Sequence, residues 1–122
     1  MSGQESRLLG RWGEALAADW LRKQGCIVLE ANWRCRFGEL DLIVQDGTYL
    51  CFVEVKLRKS DRFGRAGEFV DRRKQEKLRI AAEQYLSLKP SELQPRFDVI
   101  EIDAPQGIDT RKPIVRRIID AF

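Results

Sequence analysis

The order of elements along the chain predicts an α/β domain: a helix, three strands, a second helix and two more strands, with the helices flanking a small mixed sheet. Three observations carry this. Apolar residues recur at three- and four-residue steps over residues 6–23 and again over 69–88. Asp46 and Gly47 stand between two apolar runs, the signature of a β-hairpin. The 122 residues are 43% hydrophobic and 34% charged, enough for one domain to bury a core of its own without a disulfide or metal staple. Residues 1–122 are therefore read as a single domain.

In the first helix, residues 6–23, the stripe is Leu8, Leu9, Trp12, Leu16, Trp20 and Leu21, and Gly25 is a natural stop. Gly10 and Gly13 each cost about 1 kcal/mol inside a helix. Either they mark close backbone packing or the helix begins only near Arg11. Residues 26–29 make a short strand. Residues 32–37 form a basic and aromatic loop or strand extension with Trp33, Arg34, Arg36 and Phe37. The hairpin strands are 38–45 and 48–57, and a polar, glycine-containing loop follows over 58–68. The second helix turns Leu78, Ala81, Ala82, Tyr85 and Leu86 to its apolar side and ends at Lys89 and Pro90. Residues 96–102 alternate as a fourth strand, with Phe97, Val99 and Glu101 on one face. It is expected to run parallel to the strand before the helix. Residues 114–119 make a fifth strand at an edge.

Several function classes are excluded. The chain has no histidine, so Ser–His and Cys–His nucleophiles and histidine-rich zinc sites are absent. Acid–base chemistry near neutrality falls to carboxylates, lysine, tyrosine or metal-bound water. Cys26, Cys35 and Cys51 form no CxxC pair and read as small apolar residues. No apolar run approaches the ~20 residues of a membrane span, and the N-terminus lacks the plan of a signal peptide. A cytoplasmic protein without membrane contact is expected. The net charge of +3 is mild, but 15 of the 22 basic residues are arginine, the type suited to bidentate phosphate contacts.

The hairpin carries the chemistry. With Asp46 and Gly47 as a two-residue turn, Gln45 pairs with Thr48, Ile43 with Leu50, Asp41 with Phe52 and Glu39 with Glu54. Asp41 and Glu54 are then diagonal neighbours on one face. Alternation puts Glu54 and Lys56 on one face and Val53, Val55 and Leu57 on the other. Two adjacent carboxylates repel unless a cation or raised pKa values relieve them, and a hard divalent ion such as Mg²⁺ suits their oxygens. Lys56 could orient a metal-bound water or stabilise charge on a reacting phosphate. An ordinary Glu54–Lys56 ion pair on a solvated face fits the same spacing.

Asp41, followed thirteen residues on by Glu54, Val55 and Lys56, resembles the PD-(D/E)xK nuclease superfamily. The wider pattern is similar to the YraN-type family of small bacterial proteins, related to archaeal Holliday junction resolvases. It comprises Gly13 and Glu14; Gly38, Glu39, Leu40 and Asp41; Phe52 to Lys56 with Arg58; Phe63 and Gly64; and Arg73, Lys74 and Gln75. Leu40 stands where the superfamily motif has proline, a departure the YraN-type proteins share. The resemblance implies a restriction-endonuclease-like fold, a mixed sheet flanked by helices. It implies Mg²⁺ or Mn²⁺ held by Asp41, Glu54 and the Val55 carbonyl, Lys56 positioning the attacking water, and Glu14 as an additional helix-borne acid. The implied reaction is hydrolysis of DNA phosphodiester bonds.

The residues themselves leave two roles open. Glu14 lies either near a cation or in a salt bridge with Arg7 or Arg11. Lys74 shares the stripe of Leu78, which aims it toward the sheet and the site, or makes it a snorkelling lysine at the core boundary. Asp98 is a further acid or a surface residue facing Arg96, and is left out of the site. Over residues 56–77, nine positive side chains stand against four acidic ones, a local excess above that of the whole chain. Arg58, Arg62 and Arg65 read as a phosphate-contacting loop, extended by Arg73 and Lys74, with Arg34 and Arg36 as a second basic patch. Structured or branched DNA is the expected partner, and cutting both strands would need a homodimer. The alternatives are a non-catalytic nucleic-acid-binding module of the same fold and an accessory subunit whose site needs a partner.

Overall fold

In a computed structural model the protein is described over residues 3–58 and 70–122. The elements are helix α1 (Gly3–Lys23), strands β1 (Ile27–Cys35), β2 (Gly38–Asp46) and β3 (Tyr49–Arg58), helix α2 (Arg72–Leu88), strand β4 (Gln94–Asp103), a 3₁₀ turn (Gly107–Asp109) and strand β5 (Ile114–Ile118). The strands lie in the order β1-β2-β3-β4-β5. All neighbours are antiparallel except β3 and β4, which are parallel and joined through α2. α1 covers one face of the sheet, over Leu42, Val44, Val53, Ile100 and Ile102. α2 covers the other, over Leu40, Ile43, Phe52, Phe97 and Val99. This is the α/β, restriction-endonuclease-like arrangement the sequence predicts. Among the described residues no helix is long and apolar enough to cross a membrane.

α1 reaches the sheet through small residues: Gly13, Ala17 and Ala18 are buried on its inner face. A Cβ on Gly13 would lie 2.7 Å from Leu57 Cδ1, so this glycine sets how closely the helix approaches β3. Gly10 has nothing within 4 Å of its would-be Cβ. The two glycines that look alike in sequence should therefore respond oppositely to alanine. Gly10→Ala is expected to gain about 1 kcal/mol of helix propensity, whereas Gly13→Ala is expected to lose on the order of 1–3 kcal/mol by overpacking. Urea unfolding of both variants checks this, and Leu57→Ala should rescue Gly13→Ala. α1 ends in a Schellman cap: Gly25 takes φ 90°, and the amides of Cys26 and Gly25 donate to the carbonyls of Leu21 and Arg22.

Several boundaries differ from the sequence reading. β1 is one nine-residue strand running through residues 30 and 31, paired with β2 along its length and bent by a register shift between Val28 and Glu30. α2 begins three residues late, because the Asp71 carboxylate accepts the Lys74 amide at 2.8 Å and caps the helix there. The hairpin turn is Gly47 and Thr48, so Asp46 pairs with Tyr49 and Gln45 with Leu50. Gly47 has φ 59° and Thr48 an ordinary φ, as a turn with glycine first requires. Asp46 stays in the strand, where its carboxylate takes Arg96 at 3.2 Å and Arg117 at 2.9 Å. The register thus slips by two residues, which moves pairing partners but keeps each side chain on its face.

β4 is buried on both faces from Phe97 onward, so simple alternation does not describe it. Asp98, expected at the surface or as a further acid, is fully buried. It accepts from Arg96 Nε at 2.9 Å, from Arg117 Nη2 at 2.9 Å and from the Asp120 amide at 3.0 Å. Cys26 and Cys51 are buried free thiols and Cys35 is half-buried.

Candidate active site

The regular alternation of β2 breaks at Asp41. Leu40 packs on the α2 side and Leu42 on the α1 side, although they are two residues apart. Their β1 partners, Trp33 and Ala31, flank Asn32, which sits in the left-handed region at φ 54°. The β2–β3 ladder ends at the same place, with Leu42 opposite Val53. Beyond it the Val55 amide donates to Asp41 Oδ2 at 2.9 Å, so a carboxylate replaces the backbone acceptor of the neighbouring strand. The N–H and C=O of one strand residue leave on the same edge, so the Val55 carbonyl also faces this opening. Irregularities of this kind re-aim side chains beside functional sites.

Acids from three elements converge on the opening. Glu14 of α1 and Glu39 and Asp41 of β2 bring carboxylate oxygens within 4.8 Å of one another. Glu54 of β3, only 6% exposed, shares a hydrogen bond with Asp41. Asp41 and Glu54 therefore meet across the splayed strands rather than diagonally on one flat face. Asp41 keeps company with Glu14 on the α1 side, and Glu54 points to α2. There Lys74 Nζ lies 3.5 Å from Glu54 Oε2, an oxygen that receives no directed hydrogen bond. Burial, with the charge and hydrogen bond of Asp41, pushes the Glu54 carboxyl up to about 8, against smaller opposing effects of Lys74 and Lys56. Burial and then the Asp41 charge push Glu14 up to about 7. The carboxylates of Asp41 and Glu39 are the leading charges that act on Glu14. Such a set of hard oxygens carrying excess negative charge fits a divalent cation of the Mg²⁺ or Mn²⁺ type.

A cleft of about 420 Å³ opens beside the acids, lined by Arg7, Gly10, Arg11, Glu14, Asn32, Arg34 and Glu39. Arg7, Gly10, Arg11 and Glu14 fall on one helical stripe at three- and four-residue steps, a signal legible in the sequence. Glu39 was equally readable as Glu-x-Asp with Asp41, since strand positions two apart normally share a face. Of the other expected residues, Lys56 is half-buried beyond Glu54 on β3, on the face opposite Val53, Val55 and Leu57. Arg34 is exposed and 3.6 Å from Glu39, Arg36 lies in the β1–β2 turn, and Arg73 is exposed in the first turn of α2. Arg58 ends β3 opposite Asp103, with burial lowering its pKa and the Glu101 charge opposing that. Arg62 and Arg65 lie outside the described residues. Trp33 is a core anchor, edge-on to Tyr85 at 5.3 Å.

The chain is similar to proteins of several bacteria. It is 48% identical over 97 residues to a UPF0102 protein of Pelotomaculum thermopropionicum, covering 79% of this chain and 81% of that one. It is 44% identical over 118 residues to a UPF0102 protein of Syntrophomonas wolfei, covering 96% and 99%. A UPF0102 protein of Caldanaerobacter subterraneus matches over the full length of both chains at 40% identity. The model of the uncharacterised protein family UPF0102 matches residues 13–102, which hold Glu14, Glu39, Asp41, Glu54 and Lys56. The chain belongs to the uncharacterised protein family UPF0102, the family that the YraN-type pattern describes.

Proposed function

We propose that this protein is a metal-dependent endonuclease that hydrolyses phosphodiester bonds in structured or branched DNA. The observation that carries the reading is the convergence of Glu14, Glu39, Asp41 and Glu54 from three elements, next to an arginine-lined cleft. Such a gathering of acids is unfavourable for a protein that only holds a phosphate backbone, and favourable for one that also holds a cation. Asp41, Glu54 and the Val55 carbonyl would hold Mg²⁺ or Mn²⁺, with Glu14 and Glu39 completing the oxygen set. The cation would polarise the scissile phosphate and lower the pKa of water. Lys56 positions the attacking water, and Lys74 balances Glu54. Arg7, Arg11 and Arg34 grip the phosphates of the strand, with Arg36, Arg58, Arg62, Arg65 and Arg73 as outer contacts. One 122-residue domain has little surface for reading sequence, which favours recognition of DNA shape.

The test is a panel of labelled linear, flapped and four-way DNAs with Mn²⁺, Mg²⁺ or EDTA. Cutting is expected only with metal, falling on the order of 10²-fold or more in Asp41→Asn and Lys56→Ala. Arg7→Ala with Arg11→Ala should weaken DNA binding and reduce its salt dependence by about two charges. Binding that is unaffected by metal, with no cutting of any substrate, would instead identify a non-catalytic binding module.

A further inference from the structure

The turn between β1 and β2 consists of Arg36 and Phe37, closed by the pairing of Cys35 with Gly38. Two-residue hairpin turns ordinarily place glycine, asparagine or aspartate at their centre, because positive φ is needed there. Here Gly38, one position later, adopts φ 150°, while Arg36 and Phe37 keep ordinary φ. The glycine leaves the two tip positions open to any side chain, and they hold a cation and a large aromatic ring. Phe37 is 41% exposed. The other ring of this segment, Trp33, is turned into the core against Tyr85, so Phe37 is the one presented outward. The Arg36 guanidinium sits 5.0 Å from the Phe37 ring centroid, a cation–π contact that fixes the ring beside a positive charge.

The position of this ring matters as much as its exposure. Arg34, two residues before the turn, lines the arginine cleft, and Glu39, two residues after Phe37, belongs to the carboxylate cluster. Four residue steps of strand lead from Phe37 to Asp41, about 13 Å at the rise of a β-strand. That is about four nucleotides of stacked DNA at 3.4 Å each along a strand.

We propose that Phe37 receives an unpaired nucleobase on its ring, with Arg36 holding both ring and neighbouring phosphate. The site then selects DNA whose duplex ends or branches a few nucleotides from the bond to be cut. This rests on the nuclease reading above and names its substrate class. A continuous duplex keeps its base faces within its own stack and offers the ring nothing to bind. An unpaired base at a fork presents a face, and stacking on an aromatic side chain tolerates any sequence.

The test compares the full-length protein with Phe37→Ala and Phe37→Trp, both at an exposed position in the β1–β2 turn. Each is titrated, in Ca²⁺, with a splayed-arm DNA carrying 2-aminopurine at the first unpaired position and with a fully paired duplex of the same sequence. Cleavage of both is then followed in Mn²⁺. The wild type is expected to bind the splayed DNA about tenfold more tightly than the duplex and to quench the 2-aminopurine. Phe37→Ala should lose both that preference and the quenching while leaving duplex binding within about twofold, and Phe37→Trp should retain them. Equal binding and cutting of splayed DNA by wild type and Phe37→Ala overturns this inference and leaves the nuclease reading standing. Phe37-dependent binding without cleavage in any metal upholds the stacking of an unpaired base on Phe37 and overturns the nuclease reading, and with it the selection of a bond to be cut. Absence of binding to either DNA overturns both.

Discussion

Glu54→Gln is expected to make the metal-free protein more stable above pH 7 while removing its response to divalent ions. Glu54 is buried and hydrogen-bonded to Asp41, so folding holds its carboxyl up near 8, from an ordinary value of 4.5. Glu14 is held up near 7 by burial and the same neighbour. At pH below 4.5 both groups are protonated in the folded and unfolded chains alike, and they exert no net effect. As pH rises through 4.5 to 8, the unfolded chain loses these protons while the folded chain retains them, so stability falls with pH across that window. Each pKa unit is worth about 1.4 kcal/mol. Glu14 and Glu54 share Asp41 as a neighbour and solvent reaches Glu14, so the two shifts do not add in full. A loss on the order of 2 kcal/mol between pH 5 and 8, several degrees in Tm, is expected.

The other shifted groups act elsewhere. Asp98, whose pKa is lowered, loses its contribution only as pH falls below the ordinary carboxylate range. The buried thiols, with pKa values raised above 9, matter only at more alkaline pH. Glutamine keeps the shape of Glu54 and cannot ionise, so the slope of Tm between pH 5 and 8 should flatten in Glu54→Gln. In the wild type, Mn²⁺ or Mg²⁺ should restore stability, increasingly so as pH rises, because the ion binds the deprotonated acids. Thermal unfolding at several pH values, with and without Mn²⁺, checks both statements. A variant whose slope and metal response match the wild type would remove Glu54 from the candidate centre.

Asp98→Ala should be the most damaging single substitution. Asp98 is fully buried between Arg96 and Arg117, whose side chains are only 10% and 9% exposed. It also fixes the Asp120 amide, beside the point where the Ala121 amide joins the Phe97 carbonyl and Phe122 stacks on Phe97 at 5.0 Å. Removing the carboxylate leaves two buried guanidinium groups with Asp46 as the one remaining carboxylate on them among the described residues. Breaking such a buried set costs about 3–5 kcal/mol, a large share of the total stability of a small domain. Asp46→Ala, at a 35% exposed position, should cost far less. Denaturant unfolding separates the two. Comparable losses in both variants would mean that Asp98 is not the centre of the network.

The period of the side chains determined much of this protein in advance. Three- and four-residue steps gave both helices, and the glycine-containing turn gave the β2–β3 hairpin. Alternation along β3 correctly set Glu54 and Lys56 against Val53, Val55 and Leu57, because those faces follow from backbone geometry alone. The two-residue slip of the hairpin register was not legible. It depends on Asp46 being held in β2 by Arg96 and Arg117, which come from strands some 50 and 70 residues later.

Only the tertiary structure decided how the acids meet. The left-handed Asn32 on β1 and the broken alternation of β2 open the sheet at Asp41. Gly13 lets α1 come close enough to deliver Glu14, and the Asp71 cap starts α2 where Lys74 reaches Glu54. Asp98 reads in sequence as one more strand acid, and its meaning comes from two arginines and a C-terminal amide folded onto it. Local periodicity follows from bonds between near neighbours and is written residue by residue. The convergence of side chains from α1, β2, β3 and α2 follows from packing between distant segments, which no local pattern encodes.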